Sequence, residues 1–561
     1  MIRRGIFRPF AGLAAALLAV LTIVPAAQAQ RVTRADSLRG SNGPGRAWWD
    51  VAFYDLRVRV NPADSSVAGS NAITYRVLQP ANEMQIDLQR LRVDSIVQDG
   101  RTLQHRRDGN ALFVTLAAPQ TAGAVKTVTV HYRGRPRVAR NAPWDGGFVW
   151  ARDPGGDPWV ATAVQGLGAS AWWPNKDSQA DEPDSMRIAI TVPRGMTNVS
   201  NGRLRDSVHN ADGTTTYAWF VGSPINNYGV AVNAGSYAHF SDVYEGEKGP
   251  LTLDYWPLAR NEQAARRHWG RDVKPMLQCF EKWFGPFPWY EDGFKLVETP
   301  HLGMEHQSAV AYGNRYQNGY LGQDLSGTGR GMSWDYITIH ESGHEWFGNH
   351  ITTKDVADMW VHEGFTTYSE ALFVECQQGR QAGAEYVIGQ RGQINNDRPI
   401  VGPAYGVQAE GSGDMYFKGA SLLHTVRQVV GDDDRWRRIL RGLNSTFGRQ
   451  TVTGAQVTEY ISREAGMDLS RVFQQYLTTA DIPVLEYRVQ GNRLSYRWAN
   501  VVPGFDMPVR VTLAPGGFQR IVPTTTWQTV ELRGVTASNF RVDPNFYVTA
   551  RNADAPSTGN R

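Results

Sequence analysis

The sequence predicts a multidomain α+β fold, with an N-terminal antiparallel β domain, a mainly helical middle domain and a small C-terminal β module. Three observations support this prediction. The chain has 561 residues, which is more than one hydrophobic core usually holds. Apolar residues alternate with a period of two before about residue 240 and again after residue 483. Between about residues 261 and 477 the apolar residues follow helical spacing instead.

Residues 1–29 are predicted to be a secretory signal peptide. A basic start precedes the apolar run AGLAAALLAVLTIVPAA, and the small residues Ala27 to Ala29 form a cleavage site before Gln30. The run is too short for a firm membrane span, and an uncleaved anchor helix is the alternative. We therefore expect a periplasmic or secreted protein, while the choice between Sec and twin-arginine export stays open.

The predicted boundaries follow the changes in periodicity. Residues 30–45 are polar and Gly-rich and are expected to form a loose leader. Alternating stretches such as ALFVTL and VKTVTVHY place the N-terminal β domain at residues 46–245. Helical patterns such as FKGASLLHTVRQVVG place the middle domain at residues 246–482. Renewed alternation indicates a β-sandwich-like module at residues 483–551, and the polar residues 552–561 are expected to form a disordered tail.

Composition gives no support for a nucleic-acid-binding or membrane-surface protein. The formal net charge is +4, and three of the positive charges, Arg3, Arg4 and Arg8, lie in the predicted signal, which leaves about +1. No later stretch is long and apolar enough to cross a bilayer, so no stable membrane span is expected after cleavage. Cys279 and Cys376 lie in no zinc or redox motif, and buried thiols are the default expectation. Their pairing and the oligomeric state cannot be predicted.

The segment HESGHEWFGNH, which begins at His340, carries the strongest functional pattern. Residues four apart in a helix differ by about 40° around its axis, so His340 and His344 would share one face and could bind one metal ion. Glu341 lies beside that pair, where it could act as a general base towards a metal-activated water molecule. An ordinary helix with two histidines is the alternative for so short a pattern.

A glutamate further along the chain completes the pattern of a catalytic zinc site. Glu363 follows His344 after 18 residues, a gap that fits a helix, a turn and a returning helix. Glu363 would be the third ligand, and three protein ligands leave a fourth position open for water. Glu370, seven residues later, is predicted either to hydrogen-bond the outer nitrogen of a zinc-binding histidine or to be a plain surface carboxylate. One zinc ion per chain is expected.

In these motifs the chain resembles the gluzincin aminopeptidases, the aminopeptidase N group of zinc metallopeptidases, which includes the leukotriene epoxide hydrolase. The zinc motif with its distant glutamate carries the resemblance most specifically. GMEHQSAVAY, from Gly303, resembles the group's exopeptidase motif G-x-M-E-N, and MYFKGASLL, from Met415, resembles the segment with its catalytic tyrosine. AWWPNKDSQADEP and FQQYLTTADIPVLEY resemble two further family segments. The resemblance implies a short, exported bacterial-type member with a thermolysin-like catalytic domain.

The resemblance also implies roles for residues outside the zinc motif. Tyr416 is expected to donate a hydrogen bond to the oxyanion of the reaction, and Glu305 to bind the α-ammonium group of the substrate. The backbone of Gly303 and Met304 would lie beside the substrate, and Gln165 would assist. FKLVETP, just before this motif, is expected to be an exposed edge strand that pairs with an extended peptide. These roles imply a zinc aminopeptidase whose partners are peptides with a free N-terminus.

The sequence departs from the family pattern in two places, and each departure leads to a further expectation. His306 replaces the asparagine of G-x-M-E-N, and its imidazolium beside Glu305 would weaken substrate binding as the pH falls through about 6.5. The large helical domain that follows the catalytic domain in many relatives has no counterpart in the sequence, and a more open cleft is expected. A zinc endopeptidase or another zinc hydrolase on the same fold is the alternative function. A non-catalytic peptide-binding protein is a third.

Overall fold

The computed structural model describes residues 32–555 and confirms the predicted fold class. A β-rich N-terminal part is followed by a helical part and then by a small group of strands. The predicted signal peptide and residues 556–561 of the predicted tail lie outside the described residues. No helix within residues 32–555 combines the length and the apolar character that a membrane crossing needs. The residue boundaries between domains stay a prediction.

The N-terminal part consists of three sheets. Their strands are β1 (Trp49–Asn61), β2 (Ser66–Val77), β3 (Glu83–Asp87), β4 (Arg92–Gln98), β5 (Arg101–Thr102), β6 (Gln104–Asp108), β7 (Ala111–Thr115), β8 (Val125–Gly134), β9 (Gly147–Arg152), β10 (Pro158–Ala163), β11 (Ser185–Pro193), β12 (Thr197–Val199), β13 (Arg203–His209), β14 (Thr214–Val221) and β15 (Asn233–Gly235). The strand orders are β13-β14-β11-β1-β2-β8-β4-β5, β12-β15-β10-β9 and β3-β7-β6. Their inward faces share one hydrophobic core, in which Trp49, Tyr54 and Trp173 are buried.

One strand pair departs from the predicted antiparallel arrangement. β1 pairs with β11 in parallel, from Phe53 opposite Ser185 to Arg59 opposite Thr191, while its other edge pairs with β2 in antiparallel fashion. The other pairs of this sheet are antiparallel as predicted, and this central pair is the exception. Alternating burial has the same period of two in both kinds of ladder, so the hydrophobic pattern does not report strand direction.

The prediction of a loose leader is also wrong, because this segment contains helix α1 (Arg34–Gly40). A capping box begins the helix. The Thr33 hydroxyl accepts a hydrogen bond from the backbone N–H of Asp36, and the Asp36 carboxylate accepts one from the backbone N–H of Thr33. The pattern T-x-x-D is therefore the one signal in the sequence that could have revealed this helix.

A buried arginine holds the end of α1 against the N-terminal sheets. Arg46 is fully buried, and its guanidinium donates to the carbonyl oxygens of Arg39 at 2.8 Å and Ser41 at 2.9 Å. The same guanidinium pairs with Asp87, which lies at the end of β3. Because a buried charge needs such partners, these contacts fix the leader in one position.

The helical part packs around a second hydrophobic core. Its strands are β16 (Phe240–Gly246), β17 (Gly249–Trp256), β18 (Phe294–Glu298), β19 (Gly303–Met304), β20 (Val310–Tyr312), β21 (Ile351–Thr353) and β22 (Gln450–Val452). Its helices are α2 (Glu262–Phe284), α3 (Tyr336–Gly343), α4 (Trp360–Gln378), α5 (Arg380–Gly389), α6 (Phe417–Val430), α7 (Asp433–Phe447), α8 (Gly454–Ala465) and α9 (Ser470–Thr478). Five strands form a sheet in the order β16-β17-β18-β20-β19, and β21 pairs with β22.

The final strands pack on the helices. They are β23 (Val484–Gln490), β24 (Arg493–Ala499), β25 (Val509–Ala514), β26 (Gly517–Ile521), β27 (Gln528–Glu531) and β28 (Thr549–Asn552). Four form a sheet in the order β27-β24-β23-β28, and β25 pairs with β26. Leu485, Trp498 and Phe546 belong to the same hydrophobic core as the helices, so these strands extend that core.

A disulfide joins helices α2 and α4. It links Cys279 to Cys376, whose Cα atoms are 6.0 Å apart, so the default expectation of two buried thiols is wrong. The bond closes a loop with a sequence separation of 97. In the chain-entropy model a cross-link over a loop of this size stabilises the fold by about 4–5 kcal/mol. Helix α4 is thereby tied to the body of the helical part.

Helices α4 and α6 cross closely at a pair of glycines. A Cβ atom built on Gly419 would lie 2.9 Å from the Cα of Gly364, closer than packed atoms approach. Gly364 follows Glu363 directly, and Gly419 is three residues beyond Tyr416. The crossing therefore brings these two side chains to the wall of one cleft.

Candidate active site

Helix α3 and the residue that caps its C-terminus, His344, place both histidines of the HESGH segment on one face. Asp335 caps the helix by accepting a hydrogen bond from the backbone N–H of Thr338 at 3.0 Å. Helical backbone continues to His344, with φ −63° and ψ −19°, so His340 and His344 keep the predicted spacing of one turn. The chain then leaves helical geometry at Phe347.

The three predicted metal ligands lie together. The ligand atoms of His340, His344 and Glu363 are within 4.8 Å of one another, and all three residues are buried. Glu363 Oε2 lies 3.7 Å from His340 Nε2 and 3.3 Å from His344 Nε2, yet it accepts no hydrogen bond from any described residue. A buried carboxylate oxygen without a partner is costly, and a cation among these atoms would remove that cost. Two imidazoles and one carboxylate, open on one side to a cleft, fit a catalytic zinc ion.

The outer nitrogen of His340 contacts Glu370. The distance from His340 Nδ1 to Glu370 Oε1 is 2.7 Å, which is the contact predicted for a partner of a metal-binding histidine. Glu370 is fully buried and also accepts from the Tyr386 hydroxyl at 2.9 Å and from Gln390 Nε2 at 2.8 Å. The alternative of a plain surface carboxylate is therefore wrong. Tyr386 and Gln390 lie beyond the motif, and no spacing in the sequence indicated them.

The outer nitrogen of His344 contacts the backbone. His344 Nδ1 lies 3.0 Å from the carbonyl oxygen of Phe347, an atom that can only accept a hydrogen bond. This nitrogen therefore carries the proton, and Nε2 is left with a lone pair for a metal. The break in the helix at Phe347 is what turns this carbonyl towards the ring.

Glu341 lies in the cleft beside the ligands. Its carboxylate packs against the backbone of Gly303, where an added Cβ would lie 2.5 Å from Glu341 Oε1. Glycine is needed at that position because any other side chain would displace the carboxylate. Burial raises the pKa of Glu341 to about 7, although the charge on His340 opposes the shift. A pKa near neutrality suits a group that takes up and then releases a proton.

Glu305 is held next to the metal ligands. One of its carboxylate oxygens lies within 4.8 Å of the ligand atoms of Glu341 and His344. Gln165 Nε2 donates to Glu305 Oε1 at 2.6 Å, and the Tyr228 hydroxyl donates to the same oxygen at 3.2 Å. Within residues 32–555 no Lys or Arg side chain forms an ion pair with Glu305. The carboxylate is thus buried without a cationic partner from this part of the protein.

Gln165 connects the predicted substrate residue to the predicted metal site. Besides its bond to Glu305, the Gln165 amide donates to Glu363 Oε1 at 3.3 Å. The structure therefore brings Gln165 to the position that the resemblance implied. Tyr228 was missed, because it lies in a single 3₁₀ turn, Asn227–Gly229, far from every motif, and only the folded chain brings it near Glu305.

His306 does not behave as expected from the sequence. The ring is fully buried, and neither of its nitrogens has a hydrogen-bond partner among the described residues. Burial, with a smaller contribution from His301, lowers the pKa of His306 to about 3. The ring is therefore neutral at physiological pH. The expectation that its imidazolium weakens substrate binding near pH 6.5 is wrong, since that cation does not form in this range.

The edge strand that borders the cleft is not the predicted one. β18, which contains FKLVE, is buried and pairs with β17 on one side and β20 on the other. The edge is β19, which pairs with β20 and with no other strand in the described part of the chain. Gly303 and Met304 of β19 line the cleft, as the resemblance implied.

Tyr416 projects into the same cleft, which has a volume of about 520 Å³. Its ring centroid lies 6.1 Å from that of His340, with 22° between the ring planes. Lys418 of the same segment lies elsewhere, since its Nζ donates to the carbonyl oxygen of Thr479 at 2.9 Å. The remaining walls are largely apolar and include Trp144, Leu302, Tyr320, Leu325, Ile337, Met359 and Phe417.

Two family models match the chain. The Peptidase M1 N-terminal domain matches residues 51–228, and the Peptidase family M1 domain matches residues 272–476. The second match contains all three candidate metal ligands together with Glu341 and Tyr416. The two matches together include most of the chain.

Similar proteins include several aminopeptidases. A probable aminopeptidase 1 of Sulfurisphaera tokodaii is 23% identical over 373 residues, covering 63% of this chain and 44% of that protein. Aminopeptidase B of Mus musculus is 24% identical over 318 residues, covering 54% of this chain and 45% of that protein. The chain therefore spans about half the length of the curated relatives it matches.

Solved structures share the fold. An M1 zinc metallopeptidase from Deinococcus radiodurans has a TM-score of 0.67 at 20% identity, covering 78% of this chain and 96% of that one. A point mutant of an M1 zinc metallopeptidase from the same organism, bound to a Tyr-Ser-Ala substrate, has a TM-score of 0.66 at 20% identity, covering 79% of this chain and 97% of that one.

Proposed function

The chain belongs to peptidase family M1, and from this premise we propose that it is a zinc-dependent aminopeptidase that hydrolyses the N-terminal peptide bond of peptides. The main observation behind the proposal is the position of the Glu305 carboxylate. It is buried beside the candidate ligands His340, His344 and Glu363, and no Lys or Arg among the described residues pairs with it. One zinc ion per chain would bind these three residues. The named aminopeptidases among the relatives support the same activity.

Each functional side chain of the cleft has a separate role in the reaction. His340, His344 and Glu363 would hold a zinc ion, which would supply Lewis-acid chemistry and lower the pKa of a nearby water molecule towards about 7. Glu341 accepts the proton of the attacking water and passes it to the leaving amine. The Tyr416 hydroxyl donates to the carbonyl oxygen of the scissile bond as negative charge develops there. Gly303 leaves the space in which the Glu341 carboxylate stands.

The free amine of the substrate determines which bond is cut. Its ammonium group binds the Glu305 carboxylate, which Gln165 and Tyr228 orient through hydrogen bonds to Oε1. An extended peptide then lies beside the edge strand β19, with its first peptide bond next to Glu341. Because Glu305 is so close to the metal ligands, no room is left for a residue ahead of the one that is cleaved.

An endopeptidase or another zinc hydrolase is the alternative. Such an enzyme would accept substrates whose amine is blocked. A buried carboxylate at the position of Glu305 would then have no role in substrate binding. A peptide-binding protein without activity would have no use for Glu341, whose carboxylate stands in the cleft beside the candidate metal ligands, in a space that Gly303 leaves open. Both alternatives are tested by comparing matched peptides that differ only in N-terminal acetylation.

Glu305→Ala is expected to remove the preference for a free N-terminus. A charged hydrogen bond typically contributes about 1.5–3 kcal/mol, so kcat/KM for the free peptide should fall roughly 10-fold to 100-fold. The acetylated peptide should be almost unaffected, because it never formed this contact. The measurement is kcat/KM for the peptide pair in the wild type and in the variant.

Metal content and thermal unfolding provide the controls for Glu305→Ala. Unchanged zinc and a cooperative transition would show that the fold persists. Glu385→Ala serves as the matched variant, since Glu385 pairs with Arg330 at the surface, away from the cleft. If the ratio of kcat/KM for the free and the acetylated peptide is the same in Glu305→Ala as in the wild type, a group other than Glu305 binds the amine.

We also propose that the protein is exported to the periplasm or secreted. The signal-like residues 1–29 support this, and so does the disulfide between Cys279 and Cys376, because such bonds persist in oxidising compartments. N-terminal sequencing of the protein from its native host should begin at Gln30. A chain that retains Met1 and sediments with membranes would instead support the uncleaved anchor.

A further inference from the structure

We propose that Arg39, on the leader helix α1, is a positioning residue for the substrate's N-terminus, because it fixes the loop that carries Gln165. This inference rests on the proposed aminopeptidase function. Neither family model includes the leader, since the first match begins at residue 51. No pattern in the sequence indicates such a role, because the segment has the composition of a flexible linker.

Arg39 is linked to Gln165 through the backbone of the next residue, Gly166. Arg39 Nη2 donates to the carbonyl oxygen of Gly166, the residue after Gln165. Gln408 Nε2 donates to the same oxygen at 3.3 Å, so two donors from distant segments hold one carbonyl. Gly166 has φ +68°, a conformation that favours glycine. The peptide unit between Gly166 and Leu167, one residue beyond Gln165, is therefore held by two hydrogen bonds and by the backbone geometry of Gly166.

The link continues from Gln165 to the cleft. Its amide donates to Glu305 Oε1 at 2.6 Å and to Glu363 Oε1 at 3.3 Å. A shift of the Gly166 peptide would move the Gln165 side chain away from both carboxylates. Glu305 would then lose the shorter of its two side-chain hydrogen bonds and keep only the one from Tyr228. The orientation of the ammonium-binding carboxylate therefore depends on α1.

Helix α1 is anchored firmly enough to perform this role. The carbonyl of Leu38 accepts from Gln85 Nε2 at 2.9 Å, and that of Arg39 accepts from the buried Arg46 at 2.8 Å. At the other end of the helix, Arg34 contacts Asp108 at 2.6 Å. The helix is thus attached to the N-terminal sheets on one side and reaches the cleft loop on the other.

A purely structural role for Arg39 is the competing explanation. Burial lowers the pKa of Arg39, while the nearby carboxylates of Asp177 and Asp87 oppose that shift and stabilise its charge. Loss of the guanidinium could therefore weaken the fold without any specific effect on the cleft. The two explanations differ in whether the effect of Arg39 on peptide binding depends on Gln165.

A double-mutant cycle of Arg39→Met and Gln165→Ala separates the two explanations. Methionine keeps much of the aliphatic stem and deletes the donor. Each single variant should lower kcat/KM for a free N-terminal peptide by roughly 10-fold or more, mainly through KM. In the double variant the loss should match that of Gln165→Ala alone, because Arg39 acts through this side chain. Arg39→Lys should restore most of the loss, since a single donor contacts the Gly166 carbonyl.

Peptide affinity provides a second readout that does not depend on turnover. In a Glu341→Gln background, Arg39→Met should weaken binding of the free peptide and leave that of the acetylated peptide unchanged. Arg59→Met, the same substitution at an exposed arginine that pairs with Asp212 on the N-terminal sheets, is the matched control and should change neither. Losses that multiply in the double variant, or an equal weakening of both peptides, would overturn the role of Arg39. A wild type that cleaves no free peptide would instead overturn the proposed function itself.

Discussion

His344→Ala is expected to lose the metal ion and, with it, all measurable turnover. His344, His340 and Glu363 converge on one point, so removing one imidazole leaves two ligands around a divalent cation. Loss of an outer partner of a metal ligand already costs about 10-fold to 100-fold in metal affinity, and loss of a ligand itself should cost more. Metal analysis should give one zinc per chain in the wild type and almost none in the variant.

His350→Ala is the matched control for the loss of His344. His350 belongs to the same sequence segment, but its Nδ1 contacts Asn444 Oδ1 at 3.0 Å, away from the cleft. This variant should retain zinc. Removal of zinc from the wild type by a chelator should abolish activity, and added zinc should restore it. A His344→Ala protein that still holds one zinc ion per chain would rule out this site.

Glu341→Gln should retain zinc and lose turnover. The amide is almost the same size as the carboxylate, so packing against Gly303 is preserved, while the group that accepts the proton is gone. General-base catalysis typically contributes about 10²–10⁴-fold, and kcat should fall within this range. The measurements are kcat by steady-state kinetics and zinc content by metal analysis.

Peptide binding distinguishes a lost base from a damaged site. Glu341→Gln should bind the free peptide with near-normal affinity, because Glu305 and the metal ligands are intact. Glu385→Gln, a substitution of the same type at the surface, should have normal kcat. Near-normal turnover in Glu341→Gln would exclude this residue as the base.

The metal site could be predicted from the sequence because its geometry is mostly local. His340 and His344 are one helical turn apart, and Glu363 and Glu370 are two turns apart at the start of the next long helix. Local helical geometry therefore determines which side chains share a face. One tertiary contact, between α3 and α4, then brings the two faces together.

The surroundings of Glu305 could not be predicted in this way. Tyr228 lies in a single 3₁₀ turn, Asn227–Gly229, and Arg39 in a polar leader, and neither belongs to a periodic pattern. Tyr228 contacts Glu305, and Arg39 contacts the carbonyl of Gly166, only because segments that are distant in the sequence pack together. The neutral state of His306 was missed for a related reason, since its pKa depends on burial that composition does not reveal.

Strand direction and disulfide pairing also depend on contacts that are distant in the chain. The same alternation of apolar residues fits β1 whether β11 runs parallel or antiparallel to it. Cys279 and Cys376 approach one another only because α2 packs on α4. In both cases the deciding partner is far away in the sequence, beyond the range of any local pattern.

The parallel pairing of β1 with β11 constrains the order in which the chain can fold. During synthesis β1 and β2 can form a hairpin early, since they are adjacent in sequence. The other edge of β1 must wait until β11 has been made, and until then its backbone N–H and C=O groups remain unpaired. Such distant pairings slow folding because a large loop must close before the contact forms. Until β11 has been made, the nascent chain therefore has an open sheet edge that can recruit other strands, which exposes it to aggregation.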